Sequence, residues 1–116
     1  MIKLVKVNGG IEPNPQIGEY DCCYKLLKDN QGIGYGTINK DKENALFIFV
    51  DREQRGNGYG KILFSKMLEE TKNLGYKEIK IIFGKENTPM LKIAESNEGK
   101  QISSDEDSVK YIISIK

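Results

Sequence analysis

The chain has 116 residues, of which 38% are hydrophobic and 30% are charged, and its formal net charge is +1. This length suits one hydrophobic core, so we expect a single domain over residues 1–116. The near balance of charge argues against binding to nucleic acid or to a membrane surface, and the apolar runs are too short to cross a bilayer.

The N-terminus and the cysteines indicate the cellular compartment of the protein. The first residues lack the apolar stretch of a secretion signal, and the chain has 2 cysteines and no histidine. Because Cys22 and Cys23 are adjacent, a disulfide between them would be strained, and no metal-ligand spacing accompanies them. We therefore expect a cytoplasmic protein without a metal, whose cysteines are reduced packing residues.

The first part of the chain is expected to hold one short strand and a loop. Ile2, Leu4 and Val5 predict a strand near the N-terminus. Residues 8–18 contain two adjacent glycines and two prolines. These residues oppose both a helix and a central strand, so we expect a loop there.

Residues 20–50 are expected to form a three-stranded antiparallel meander. Two strand patterns, over residues 20–27 and 33–39, are separated by the turn signal DNQG. The most apolar run in the chain, residues 45–50, follows a second polar turn. It predicts a central strand that is covered on both faces.

The segment after residue 58 has the period of an amphipathic helix. Leu63, Met67, Thr71 and Leu74 recur at steps of three or four residues and predict its buried side. Gly75 predicts its C-terminal end. The side chains expected to face water are Lys66, Glu69, Glu70 and Lys72.

The last third of the chain is expected to add a strand, a short helix and a hairpin. The strand covers residues 78–83, and its place after a strand and a helix predicts that it runs parallel to the strand at 45–50. Asn87 predicts the start of the short helix. With a hairpin over residues 100–115, the expected fold class is α+β, with a central mixed, mainly antiparallel sheet and about two helices.

Three glycines at alternate positions, Gly56, Gly58 and Gly60, lie between the apolar strand and the long helix. Glycine permits the sharp turns that bring successive N–H groups towards one anion, and a helix N-terminus suits phosphate. The cations that flank these glycines are Arg52, Arg55 and Lys61. The segment therefore predicts a diphosphate site, since a plain connector would need only two glycines.

Two other kinds of phosphate loop fit these residues poorly. A P-loop needs one more residue and a Ser or Thr after its lysine, where this chain has Ile62. A dinucleotide fingerprint needs a third glycine where Lys61 stands, and it usually follows the first strand of a fold. Neither alternative is favoured.

The segment RGNGYG at residues 55–60 resembles the signature [Arg/Gln]-x-x-Gly-x-[Gly/Ala] of the GNAT superfamily of N-acyltransferases. The neighbouring elements are similar in order to those of that family over residues 20–116. The resemblance implies a GNAT-like fold and acetyl-CoA as cosubstrate. It also implies direct attack of a primary amine on acetyl-CoA, the amine belonging to a small molecule, a lysine or a peptide N-terminus.

The same resemblance implies how acetyl-CoA would be bound. In the family the loop amides hold the pyrophosphate, and the preceding strand's main chain binds the pantetheine arm and polarises the thioester carbonyl. By resemblance, Phe49, Val50 and Asp51 take the second role and Asn87 lines the cofactor channel. The residues so implied in cofactor binding are Phe49, Val50, Asp51, Arg55, Gly56, Asn57, Gly58, Tyr59, Gly60, Lys61 and Asn87.

Two features differ from the family pattern. The family usually has two helices between its first two strands, where this chain has residues 8–18, which implies either a large acceptor or a second subunit, as in a homodimer. The family's frequent tyrosine on the late helix, a general acid, falls at Ala94. Because the chain has no histidine, the candidate catalytic bases are Glu43 and Asp51.

Other interpretations stay open. Ala94 and the short acceptor wall also suit a module that binds acetyl-CoA or coenzyme A without turnover, and the loop alone suits an interaction domain that binds a partner's carboxylate or phosphate. A plain helix cap is an equal interpretation of Asn87. Tyr20, Tyr24 and Tyr35 are expected to be packing residues rather than parts of an acceptor cleft.

Overall fold

The computed structural model describes the backbone of residues 1–11 and 19–116 and the side chains of residues 1–7 and 20–116. The strands in this part of the chain are β1 (Ile2–Ile11), β2 (Glu19–Lys28), β3 (Gln31–Asn39), β4 (Leu46–Val50), β5 (Glu78–Gly84), β6 (Lys100–Ser104) and β7 (Ser108–Ser114). The helices are α1 (Tyr59–Asn73) and α2 (Thr88–Ser96). The predicted α+β fold class is confirmed.

The strands form two sheets, each paired antiparallel. β1, β2, β3 and β4 lie side by side in chain order, and β5, β7 and β6 form the second sheet in that order. The expected meander over residues 20–50 and the expected C-terminal hairpin are both confirmed.

The two sheets meet where β4 begins. Ala45 N donates to Lys80 O at 2.8 Å, and Ile82 N donates to the side-chain oxygen of Asn44 at 3.1 Å. The acceptor and the donor on β5 are two residues apart, which is the spacing of a parallel pair. This joint supports the expected parallel relation between β4 and β5. Among the described residues, Ala45–Lys80 is the one main-chain hydrogen bond that joins this part of the chain to β5, and Ala45 lies just before β4.

Two expectations about strands are wrong. The first strand extends to Ile11, so residues 8–11 lie in β1 and not in a loop, because they continue the ladder with β2 up to the Ile11–Glu19 pair. The rest of that loop prediction, residues 12–18, falls outside the described residues. β4 was expected to be central but is the edge strand of its sheet, with four half-buried residues, because the main-chain bonding to β5 ends at Ala45, just before the strand.

Helix α1 packs its apolar side against the sheets. Its buried residues are Leu63, Phe64, Met67 and Thr71. Leu74, which was expected to be buried, is 53% exposed because the helix ends there. Glu70, which was expected to face water, is only 14% exposed because its carboxylate lies under the sheet and accepts a hydrogen bond from Tyr24.

The core lies between the helices and the inner faces of the two sheets. In β5 the predicted inward side is confirmed, since Ile79, Ile81 and Phe83 are buried. Cys22 and Cys23 are both buried and neither forms a disulfide, as expected of packing residues. In the described part of the chain, neither helix is long and apolar enough to cross a membrane.

Candidate functional site at the start of helix α1

The loop between β4 and α1 is held in shape by its own hydrogen bonds. Asp51 precedes a 3₁₀ turn, and its carbonyl oxygen accepts from Gln54 N at 2.8 Å. Asn57 Nδ2 donates to Gln54 O at 3.0 Å. These bonds give the loop a defined path from the end of the strand to the start of the helix.

Arg55 ties this loop back to β4. Its Nε donates to Val50 O at 2.8 Å, and its guanidinium lies 5.7 Å from the centroid of the Phe49 ring. The sequence indicated only a positive charge at this position. The folded loop adds an anchoring role, because a hydrogen bond from a planar guanidinium restrains direction as well as distance.

Gly56 and Gly58 have the backbone conformation that the site needs. Their φ angles are +84° and +83°, in the left-handed region that glycine adopts without a steric penalty. A Cβ at either position would meet no atom within 4 Å. Gly58 is also the N-cap of α1, where it contributes no capping side chain. The approach to the start of the helix is therefore open.

The main-chain N–H groups of residues 56–61 have no acceptor among the described residues. Ile62 N is the next to bond, to Gly58 O at 3.3 Å. Unpaired N–H groups at a helix N-terminus carry partial positive charge, and the exposed Lys61 adds a full charge in the first turn. This arrangement fits a multiply charged anion such as a diphosphate.

The edge of β4 that faces β5 lies beside this loop. Asp51 N donates to Ile33 O at 2.8 Å, which shows that residue 51 pairs with β3. Because hydrogen bonding alternates along an antiparallel ladder, the main chain of Phe49 also faces β3. The main chain of Ile48 and Val50 then faces the opening between β4 and β5, where the two strands are not hydrogen-bonded to each other.

This register distinguishes the strand residues that were expected to bind through their main chain. Of Phe49, Val50 and Asp51, the register leaves only Val50 with an N–H group directed at the opening. Ile48 has one as well, although its place in the sequence did not indicate it. Counting residues back in steps of two from the strand end could have identified Ile48, provided that the pairing with β3 had been known.

Asn87 is the N-cap of α2. Its Oδ1 accepts from Met90 N at 3.2 Å, so the helix-cap interpretation is confirmed. A contact between Asn87 and a cofactor stays a prediction. Further along α2, Ala94 is 0% exposed. The late helix therefore supplies no proton donor to the site from that position.

The two candidate bases lie at opposite ends of β4, which spans about 13 Å. Glu43 forms ion pairs with Lys110 at 2.8 Å and Lys80 at 3.2 Å. Hydrogen bonds from these lysines, with that of Lys110 the stronger, lower the pKa of the Glu43 carboxyl group. The exposed Asp51 side chain makes no hydrogen bond to the turn that it caps. The structure does not bring the two carboxylates together.

The tyrosines of the meander serve packing. Tyr20 and Tyr24 are buried, and Tyr35 is half-buried with its ring centroid 5.5 Å from that of Phe49. In the part of the chain that the structure describes, no group of three or more His, Cys, Asp or Glu residues is placed to hold a metal ion.

Comparison with known proteins gives a family match and several solved structures of similar fold. The model described as Acetyltransferase (GNAT) family matches residues 11–98. The ribosomal-protein-S18-alanine N-acetyltransferase from Escherichia coli has a TM-score of 0.78 at 15% identity, with 100% of this chain and 95% of that chain covered. The N-acetyltransferase PseH from Campylobacter jejuni, in complex with acetyl coenzyme A, has a TM-score of 0.65 at 18% identity, with 82% of this chain and 68% of that chain covered. At these identities the structural likeness concerns the fold.

Proposed function

The chain is an enzyme of the GNAT acetyltransferase family, whose model covers residues 11–98, and we propose that it transfers the acetyl group of acetyl-CoA to a primary amine. The observation that carries this proposal is the run of N–H groups at residues 56–61, which have no acceptor in the described part of the chain and border open space at Gly56 and Gly58. A diphosphate suits this run because its oxygens can accept from several N–H groups at once.

The cofactor site has two parts in this proposal. The diphosphate is held by Arg55, Gly56, Asn57, Gly58, Tyr59, Gly60 and Lys61. The pantetheine arm and the thioester carbonyl lie along the edge of β4, where the N–H groups of Ile48 and Val50 face the opening. Asn87 lies beyond the end of β5, where its Nδ2 group is an additional donor. The acetyl coenzyme A complex of a protein with the same fold supports this choice of cosubstrate.

The residues of the chain would assist direct attack by a neutral amine. A C–N bond forms and the C–S bond breaks, while the main-chain N–H of Ile48 stabilises charge on the carbonyl oxygen. The amine proton passes to Asp51 directly or through water. We favour Asp51 over Glu43 because the oxygens of Glu43 are held by two lysines. Solvent protonates the departing thiolate, since Ala94 has no proton to give.

The acceptor side is expected to be open. Only residues 12–18 separate β1 from β2, which is too few for the two helices that the family usually has there. We therefore expect either a large acceptor, such as a protein or a peptide, or a second copy of the chain that completes the wall. We place the reaction in the cytoplasm, where the two buried thiols would stay reduced.

A second candidate function is a module that binds coenzyme A without turnover. It is favoured by the full burial of Ala94, which leaves α2 without a proton donor at that position. The two candidates differ in one measurable step, the release of the thiol when an amine is supplied.

The experiment combines calorimetry with a thiol-release assay. We expect saturable binding of acetyl-CoA and release of coenzyme A that depends on the amine, tested with small amines, lysine peptides and peptides with free N-termini. Binding with no release above hydrolysis would support the second candidate. Folded protein that binds neither acetyl-CoA nor coenzyme A would exclude both.

A further inference from the structure

A series of polar groups connects β3 to β5 through the turn that precedes β4. Thr37 Oγ1 donates to Asn39 Oδ1 at 2.7 Å, and Asn39 Nδ2 donates to Asn44 O at 2.9 Å. Asn44 Oδ1 in turn accepts from Ile82 N at 3.1 Å. Thr37 and Asn39 are 0% and 2% exposed, so the bond between them is shielded from water. Together the three bonds hold the turn in one arrangement.

In this series the side-chain oxygen of Asn44 accepts the hydrogen bond that the main-chain carbonyl of Ala45 would accept in a regular parallel pair. In a regular parallel pair, Ala45 would donate to Lys80 O and also accept from Ile82 N. The first bond is present, but Ala45 O accepts instead from Asn39 N at 2.8 Å and so faces β3. Ile82 N donates to the side chain of Asn44 instead, so the last hydrogen bond between the two sheets is made by a side chain and not by the main chain.

The pairing of the two strands stops at this hydrogen bond. Among the described residues, no main-chain hydrogen bond joins Leu46–Val50 to β5. The main chain of Ile48 and Val50 is left facing the opening between the strands. Asn44 therefore stands at the closed end of the opening, and the Gly56–Lys61 loop stands at its other end.

We propose that Asn44 is a positioning residue that sets the width of the opening between β4 and β5, and with it the position of the Ile48 N–H group. This inference rests on the proposed function, because the opening is where the pantetheine arm would lie. It assigns different parts of the chain to the two halves of coenzyme A. The loop and α1 bind the nucleotide half, and the Asn44–Ile82 hydrogen bond sets the width of the opening in which the pantetheine arm lies.

The test compares two ligands by calorimetry. Coenzyme A has the diphosphate and the arm, whereas adenosine diphosphate 3′-phosphate has the diphosphate alone. In Asn44→Ala we expect the affinity for coenzyme A to fall about tenfold, the scale of a broken hydrogen bond that leaves the Ile82 N–H without its acceptor. The affinity for the nucleotide half should change by less than about twofold, because the loop lies at the other end of β4.

Asn44→Asp is the matched control, because it keeps an oxygen acceptor at the same reach and should preserve binding of coenzyme A. Exchange of the Ile82 amide hydrogen should become faster in Asn44→Ala and stay slow in Asn44→Asp. If Asn44→Ala does not fold, Asn44→Gln takes its place, since its oxygen lies one methylene further out.

The possible outcomes test the role of Asn44 separately from the proposed function. Equal losses for both ligands, or no loss for either, would overturn the role of Asn44 while leaving the enzyme's assignment intact. Wild-type protein that binds neither ligand would contradict the proposed function itself. Loss confined to coenzyme A, with rescue in Asn44→Asp, would support the inference.

Discussion

The Nε atom of Arg55 lies 2.8 Å from the carbonyl oxygen of Val50, so the side chain that begins the glycine loop is bonded to the last residue of the strand before it. This bond orients the unpaired N–H groups that follow it. Its acceptor, the carbonyl oxygen of Val50, lies on the edge of β4 that faces the opening. Arg55 thus connects the loop to the opening proposed for the pantetheine arm, and it also supplies positive charge.

Replacing Arg55 by lysine separates its charge from its anchoring bond. Lysine keeps the charge but lacks the planar fork that reaches Val50 O, so we expect coenzyme A to bind about tenfold more weakly in Arg55→Lys. Calorimetry measures this change. The control is Arg52→Lys, at a neighbouring exposed arginine, which should bind as the wild type does. Wild-type affinity in Arg55→Lys would mean that charge alone matters there.

Two glycines with the same backbone conformation and different surroundings test the loop. Gly58 at the start of α1 and Gly75 just after its end have φ of +83° and +89°, and a Cβ at either would meet nothing within 4 Å. Valine at either position should cost about 1–2 kcal/mol through backbone strain. Only Gly58→Val should also abolish binding of coenzyme A, because its side chain would occupy the approach to the N–H groups.

Thermal melting and calorimetry on both glycine variants provide the comparison. The two melting temperatures should fall by similar amounts. Retention of coenzyme A binding in folded Gly58→Val would show that the anion does not approach this loop.

Gly34 allows β3 and β4 to lie close together. A Cβ there would be 2.5 Å from Phe49 O and 3.2 Å from Val50 Cα, so Gly34→Ala must displace the β4 edge. We expect a loss of about 1–3 kcal/mol in the free energy of unfolding, measured by urea denaturation. Gly32→Ala is the control, since its Cβ would lie an ordinary 3.8 Å from Leu27 Cδ2. Equal stability of the two variants would contradict the close contact.

The two candidate bases are distinguished by neutral replacements. We expect Asp51→Asn to lower kcat by about a hundredfold, the scale of general-base catalysis, and Glu43→Gln to leave kcat nearly unchanged. Steady-state kinetics with one amine gives both values. The opposite result would identify Glu43 as the proton acceptor.

Glu43 should instead affect stability in a way that depends on pH. Its pKa is lowered in the folded state, so the stabilisation by Lys110 and Lys80 is present above the ordinary pKa of 4.5 and is lost as the pH falls through the lower folded value. The difference in melting temperature between wild type and Glu43→Gln should therefore shrink below pH 4.5. A difference that does not vary with pH would contradict this assignment.

Local patterns accounted for most of the elements. The apolar period of α1, the turn between β2 and β3 and the alternation in β5 each depend on residues close together in the chain, and all three were predicted. The prediction for residues 8–11 failed because pairing with β2 compensates for the flexibility of Gly9 and Gly10. The predicted exposures of Leu74 and Glu70 were wrong, because the helix ends at Leu74 and Glu70 accepts a partly buried hydrogen bond from Tyr24.

The sequence by itself determined the fold class, the order of the elements and the glycine loop that identifies the family, since hydrophobic periods and glycine positions act over short distances. Only the tertiary structure decided that Ile48 and Val50 present their main chain to the opening, and that Arg55 and Asn44 hold its two ends. Those properties depend on strand register and on partners as distant as Asn44 and Ile82. No local pattern contains that information, because a hydrogen bond between strands exists only once both strands are in place.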